Sequence, residues 1–311
     1  MNSVFVISNT DDQMVFHADW VETMCIFAAD GSASEEDLYR ALSQEGGRSD
    51  NKARELAHDA FIELADRTVA CGSASQGAYP FELSQRRNKL SLADGQDWPE
   101  SSIPYLFQLM TCRWSMASVD RTLANIDPTA VFEMLCAEVL GSFWGTCSGT
   151  SGAFVFGTAA GATLPTFPEK VAHIVSTLRE GGAYKIAAIS PGAGDGKLDA
   201  VAYRVFADQR RGGLIGFAQA KTGENWRQHL TKLQPRSFMS KYVTSPLVID
   251  PVRIYMVPHR IHHDRWESDS LEGGLLFDRC RITQYADRVS PNVLENADRW
   301  LRAAISATTY P

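Results

Sequence analysis

Residues 198–221 constrain most strongly what this chain can fold into. Two strand-like runs, "LDAVAYRVF" (198–206) and "GLIGFAQAK" (213–221), flank the polar turn "ADQRRGG". Short apolar runs joined by a turn of this kind read as a β-hairpin. Asp199 stands at the head of the first strand. Gln219 and Lys221 stand at the tail of the second, two residues apart and therefore on one face. Antiparallel pairing through the turn brings all three side chains to one end of the sheet.

The glycine-rich approach, "PGAGDGKLD" (191–199), invites three other readings, and each fails on a residue. A phosphate loop needs a glycine where Pro191 stands and a Ser or Thr where Leu198 follows the lysine. A dinucleotide fingerprint opens a helix, whereas this segment enters a strand. A calcium loop is excluded by Lys197 and by the missing distal glutamate. A hard-cation site fares better, because it explains the positions of these residues rather than their composition. The carboxylate of Asp199, the amide oxygen of Gln219 and the carbonyl of Ala220 are oxygen donors of the kind magnesium prefers. Such a cation polarises a scissile phosphate and acidifies a bound water, while Lys221 orients that water or stabilises developing negative charge. A second acid is available from the helix "DPTAVFEMLCAEVL" (127–140), which carries Glu133 and Glu138. Glu133, set between Phe132 and Met134, is the better candidate to point inward, and Glu138 stays open.

Elsewhere the chain alternates elements. Residues 1–125 read as a mixed, mostly helical region, with "SASEEDLYRALSQ" capped by Ser34 and "NKARELAHDAFIELADRTVA" apolar at helical spacing. A boundary falls at 126, where Asp127 can cap a helix that has Pro128 in its first turn. A Gly/Ser/Thr-rich loop (145–165) and a helix (166–182) follow. Strands are then expected at 183–190, 198–206, 213–221, 252–258 and 273–282, with helices at 225–234 and 293–307. The organisation is thus 1–125 for recognition, regulation or assembly and 126–311 for chemistry.

Of the chain's 311 residues, 44% are hydrophobic, enough for a sizeable core. Neither a membrane span nor a secretory signal is read from the sequence. Six cysteines without a C-x-x-C pair point to reduced thiols in the cytoplasm rather than a disulfide frame. The net charge of −7 means that a polyanion must be met by clustered basic residues. Arg227, Lys232 and Arg236, just after the hairpin, are the candidate nucleic-acid contacts. His259, His262, His263 and Asp264 could hold zinc, although loop histidines are more often solvated. Asp278 beside Arg279 and Arg281 reads as a structural ion pair.

"FEMLCAEVL", "GDGKLDAVAYR" and "GFAQAK", in that order, resemble the PD-(D/E)XK nuclease superfamily, in the Q-x-K branch of Mrr-like restriction endonucleases. The resemblance covers Asp127 to Pro258. It implies an α/β fold with a restriction-endonuclease-like α-β-β-β-α-β core, a mixed sheet flanked by helices, preceded by the mostly helical region. It matches Asp199 to the metal-binding acid, Gln219 and Lys221 to the Q-x-K pair, and Glu133 to the helical acid. It further implies a magnesium-dependent endonuclease acting on DNA, with manganese as substitute. A cytoplasmic role in anti-phage defence or restriction is implied too, controlled by an ATPase or sensor partner or by homo-oligomerisation. Lys197 departs from the branch, which often has glycine there, and an extra helix interrupts the core. The competing reading is a non-catalytic nucleic-acid-binding or scaffolding subunit that keeps the fold.

Overall fold

A computed structural model of the chain describes residues 4–7, 13–46, 49–72, 78–95, 97–114, 116, 119–145, 149–157, 159, 166–186 and 196–308. The amino-terminal part comprises α1 (Gln13–Phe27), β1 (Ser32–Ser34), α2 (Glu35–Gly46), α3 (Asp50–Gly72), β2 (Phe81–Leu83), β3 (Lys89–Leu92) and α4 (Ile103–Arg113). There follow α5 (Pro128–Trp144), β4 (Ser151–Val155), α6 (Phe167–Leu178), β5 (Ala200–Arg204), β6 (Leu214–Ala220) and α7 (Pro235–Tyr242). The chain continues through β7 (Val252–Met256), α8 (His263–Gly273), β8 (Leu275–Phe277), α9 (Arg279–Gln284) and α10 (Pro291–Ala307).

Local chemistry sets the helix starts. Ser34 Oγ accepts from the Asp37 backbone N–H while the Asp37 carboxylate accepts from the Ser34 N–H at 2.8 Å, a reciprocal cap on α2. Asp127 caps α5 by accepting from the Thr129 N–H at 2.9 Å, with Pro128 in the first turn. Thr166 and Glu169 form a capping box on α6.

The fold is mixed α/β. Its main sheet has the order β4-β5-β6-β7-β8, antiparallel from β4 to β6 and parallel from β6 to β8. The hairpin read from the sequence is β5–β6, with Ala200 paired to Ala218. Several expectations change, among them the strand expected at 273–282, of which only Leu275–Phe277 is a strand while Arg279–Gln284 is the helix α9. The Gly/Ser/Thr-rich segment is no loop throughout, because Ser151–Val155 is the edge strand β4. Its small residues let α5 lie close, so that a methyl added at Gly141 would sit 3.8 Å from the Ala153 backbone nitrogen. The extra helix α6 therefore follows the first strand instead of preceding it. Of the expected strand 183–190, residues 187–190 lie outside the described residues, and Tyr184 makes only an isolated bridge to Val243. The helix expected at 225–234 is a 3-10 turn at Trp226–His229, and the helix itself, α7, begins at Pro235.

One hydrophobic core runs through both halves of the chain. The sheet face made by Ala200, Ala202, Ala218, Ile254 and Met256 belongs to the same cluster as Val21, Leu64, Leu109 and Trp300. Trp300 of α10 is fully buried and meets Phe107 of α4 edge-on at 5.5 Å between ring centroids. Packing thus continues unbroken across the expected boundary at 125/126. The opposite face, with Val201, Ile215 and Phe217, is covered by residues such as Ile174 of α6 and Phe238 and Met239 of α7.

Two polar features also join the halves. Arg67 and Arg279, both fully buried, meet the carboxylates of Asp19 and Glu22, and Arg67 also binds Glu63. Beside them a disulfide links Cys71 of α3 to Cys280 of α9, 209 residues apart in sequence. This corrects the expectation of thiols alone. Cys25, Cys112 and Cys136 are free and buried, and burial pushes each thiol pKa up, to about 12 for Cys112. Because the crosslink closes a long loop, reducing it is expected to lower stability by about 2–4 kcal/mol. Denaturant unfolding with and without dithiothreitol measures this, and a Cys71→Ser/Cys280→Ser chain must be insensitive to the reductant. Among the described residues no helix is long and apolar enough to cross a membrane.

Candidate active site

The site lies at the end of the sheet where β5 begins and β6 ends. The backbone of Asp199 is fixed from both sides: its N–H donates to Ala218 at 2.8 Å, and its carbonyl accepts from Phe156 at 2.7 Å and Gly157 at 2.9 Å. The carboxylate is buried, and its Oδ2 accepts from the Ala220 N–H at 2.8 Å. Its Oδ1 faces Gly157. A Cβ added at Gly157 would stand 3.2 Å from that oxygen and 2.6 Å from Glu133 Oε2. Two carboxylates therefore border one small space, which stays open because residue 157 has no side chain. Glu133 Oε2 also accepts from the Ala159 N–H at 2.9 Å, and Lys170 of α6 donates to the Gly157 carbonyl at 2.6 Å.

Gln219 completes the arrangement. Continuing the Ala200–Ala218 pairing by one step sets it across from Asp199, and Tyr255 of β7 pairs with it on the other side. Its side chain is fully buried, yet among the described residues neither its amide oxygen nor its amide nitrogen has a hydrogen-bond partner. An amide buried unpaired costs about 1–3 kcal/mol, and such groups call for an explanation. The Tyr255 hydroxyl donates to the Trp226 carbonyl at 2.8 Å; burial and then the charge of Asp199 push its pKa up. Burial raises the Cys136 thiol as well, followed by the charges of Asp199 and Glu133. Lys221 is half-buried one residue past β6, its N–H bound to the Met256 carbonyl at 3.0 Å, and alternation puts its side chain on the face of Gln219.

This donor set is two carboxylates and an unclaimed amide oxygen, all hard oxygen ligands, and it fits a divalent cation such as magnesium or manganese. The choice between the two helical acids is decided by tertiary contacts. Both oxygens of Glu138 are engaged at the start of α10, accepting from the Ser290 N–H at 2.6 Å and its hydroxyl at 2.8 Å. Glu133 is thus the acid that α5 delivers to Asp199. Ala220 contributes its N–H to Asp199, and its carbonyl ends β6.

The structure separates the basic candidates. Arg227 is tied to Asp269 at 3.0 Å and lies over the Trp226 ring. Arg236 is exposed and 3.8 Å from Asp250, and Lys232 is exposed. His262, His263 and Asp264 gather potential ligand atoms within 4.8 Å of one another at the surface, where His262 also caps α8. His259 stands apart from them, stacked on Trp226, and burial drives its pKa down to about 4. Asp278 caps α9 and binds Arg260 at 2.6 Å, whereas Arg279 goes to Asp19 and Arg281 covers Trp266, which corrects the local ion pair expected in "FDRCRI".

Sequence reasoning missed Gly157, Lys170 and Tyr255. Gly157 sits in the glycine-rich text that hid β4, and nothing local marks the other two. A cavity of about 340 Å³ opens beside Glu224–Gln228, walled by Phe16, Asp19 and His259, and none of Glu133, Asp199, Gln219 or Lys221 lines it. Comparison with protein-family models, curated proteins and solved structures returns no match.

Proposed function

We propose that this chain is a metal-dependent nuclease that hydrolyses DNA phosphodiesters. The observation that carries the reading is the fully buried amide of Gln219, unpartnered among the described residues, next to Ala220, whose N–H bonds the Asp199 carboxylate that borders Gly157 together with Glu133. The order α5-β4-β5-β6-α7-β7, with α6 inserted after the first strand, supports the resemblance to the PD-(D/E)XK core. So does the placement of Asp199 at the head of the second strand and Gln219-Ala220-Lys221 at the tail of the third.

In this reading Asp199, Glu133, Gln219 and the Ala220 carbonyl hold magnesium. When bound, the cation supplies Lewis-acid polarisation of the phosphoryl oxygen and acidifies water at neutral pH. Lys221 orients the attacking water and meets the negative charge that builds on the phosphate, and its position one residue beyond the strand leaves the ammonium free to approach. Gly157 keeps the space in front of the carboxylates clear. Replacement of the usual acid by Gln219 lowers the charge of the ligand set, and Glu133 restores it. A role in cytoplasmic anti-phage defence, under an ATPase or sensor partner or a homo-oligomeric state, belongs to the same reading and rests on the resemblance.

Plasmid DNA incubated with the full chain tests it. Cutting is expected with magnesium or manganese and not with EDTA, and Lys221→Ala is expected to reduce the rate by about 10²–10³-fold. No cutting under any condition would favour the scaffolding alternative, and metal-independent nicking would overturn the metal site.

A further inference from the structure

Lys197 drops out of a phosphate-loop reading, yet its place in the fold gives it a use. Gly196 and Lys197 form consecutive left-handed turn positions, at φ +63° and +65°. Gly196 is required there, since an added Cβ would stand 2.7 Å from the Phe238 ring. Lys197 instead keeps an exposed side chain in a backbone conformation that glycine adopts freely and other residues disfavour. Strain kept at one residue beside a candidate active site points to a function for its side chain.

Geometry supplies that function. Lys197 stands two residues before Asp199, whose carboxylate accepts from the Ala220 N–H, and Lys221 directly follows Ala220, so both lysines flank the hairpin end that carries Asp199 and Gln219. The 3-10 turn at Trp226–His229 then brings in Lys232, whose N–H donates to the His229 carbonyl at 3.0 Å. The His229 imidazole registers the gathering: burial first, then Lys221, Lys232 and Lys197, lower its pKa. Lys221 and Lys232 make no ion pair among the described residues. In a chain of net charge −7, this is a concentration of positive charge placed beside the two carboxylates.

We propose that Lys197 and Lys232 bind the phosphate adjoining the scissile one, so that the site takes a polynucleotide strand and not an isolated phosphodiester. The proposal rests on the nuclease reading and names the part of the substrate it grips. Lys221 serves the reacting phosphate, and the other two lysines hold the strand in line. Paired phosphate contacts of this kind fix register without reading sequence.

The test is binding of a fluorescein-labelled DNA oligonucleotide by the full chain carrying Asp199→Asn, titrated at several salt concentrations with and without Lys197→Gly. The glycine removes the ammonium and also relieves the left-handed turn, so the thermal midpoint should hold or rise. Affinity is expected to fall roughly fivefold to tenfold, and the slope of log K against log salt to lessen by about 1. Lys197→Arg should keep both affinity and slope. Unchanged affinity and slope in Lys197→Gly, an equal loss in Lys197→Arg, or no DNA binding at all would overturn the proposal. Cleavage by the parent chain is scored separately: its absence fails the nuclease reading, while the salt slope still decides the phosphate contact.

Discussion

An Asp199→Asn chain is expected to lose metal-dependent DNA cleavage by at least about 10²-fold while melting, in metal-free buffer, no lower than the parent chain. The two halves of this result have one cause. The carboxylates of Asp199 and Glu133 border the same space at Gly157, and like charges so placed raise the energy of the metal-free fold. Asparagine removes one charge and can still accept from the Ala220 N–H, the bond that Asp199 Oδ2 makes at 2.8 Å, so the hairpin end keeps its shape. Melting with added magnesium or manganese gives an independent readout. The parent chain should gain stability as cation binds the native state, and the variant should gain little. Equal cation stabilisation of both chains would show that the ion binds elsewhere.

The largest loss of stability is expected from Arg279→Met. Arg279 is fully buried, holds both oxygens of Asp19 at 2.9 and 2.8 Å, approaches Glu22 at 3.3 Å, and donates to the Pro258 carbonyl at 2.9 Å. Burial by itself would push Asp19 up, but Arg279 and Arg67 together hold its carboxyl well below the usual carboxylate range. Burial dominates at Glu22 and raises it. Methionine keeps much of the volume and removes the charge, leaving two buried carboxylates against Arg67 alone. Breaking a buried pair from one side costs about 3–5 kcal/mol. The depressed Asp19 contributes stability that is present above its unfolded value, near pH 4, and is lost only as pH falls toward its native value. The deficit of the variant should therefore be full at pH 7. It should shrink below about pH 4, where the parent chain loses the contribution of its depressed Asp19. Urea denaturation at the two pH values measures it, and a deficit under about 1 kcal/mol at pH 7 would contradict this account.

What could be read from the sequence was what neighbouring residues decide. Alternation and a turn defined the β5–β6 hairpin, which placed Asp199, Gln219 and Lys221 together because all three are carried by that one element. Side-chain caps at Ser34 and Asp127 marked two helix starts. Features that depend on distant partners stayed hidden. Glu133 and Glu138 look alike on one helix, and what separates them is Ser290, 152 residues beyond Glu138. The strand β4 is made of residues that favour loops, and it is a strand because β5 pairs with it and α5 covers it. Cys71 and Cys280 gave no spacing signal. Arg279 looked like a local partner for Asp278, yet its guanidinium reaches Asp19, 260 residues earlier.

The continuous core limits how an activity of this kind could be held in check. With the alanine face of the hairpin, α4 and α10 sharing one interior, the amino-terminal helices cannot act as a detachable plug whose departure uncovers the carboxylates. Releasing them would strip the hydrophobic backing from β5 and β6 and dismantle the site being released. If the proposed activity is restrained, the restraint would therefore arrive from outside the chain, by occluding Lys197, Lys221 and Lys232 or by withholding the strand proposed to meet them.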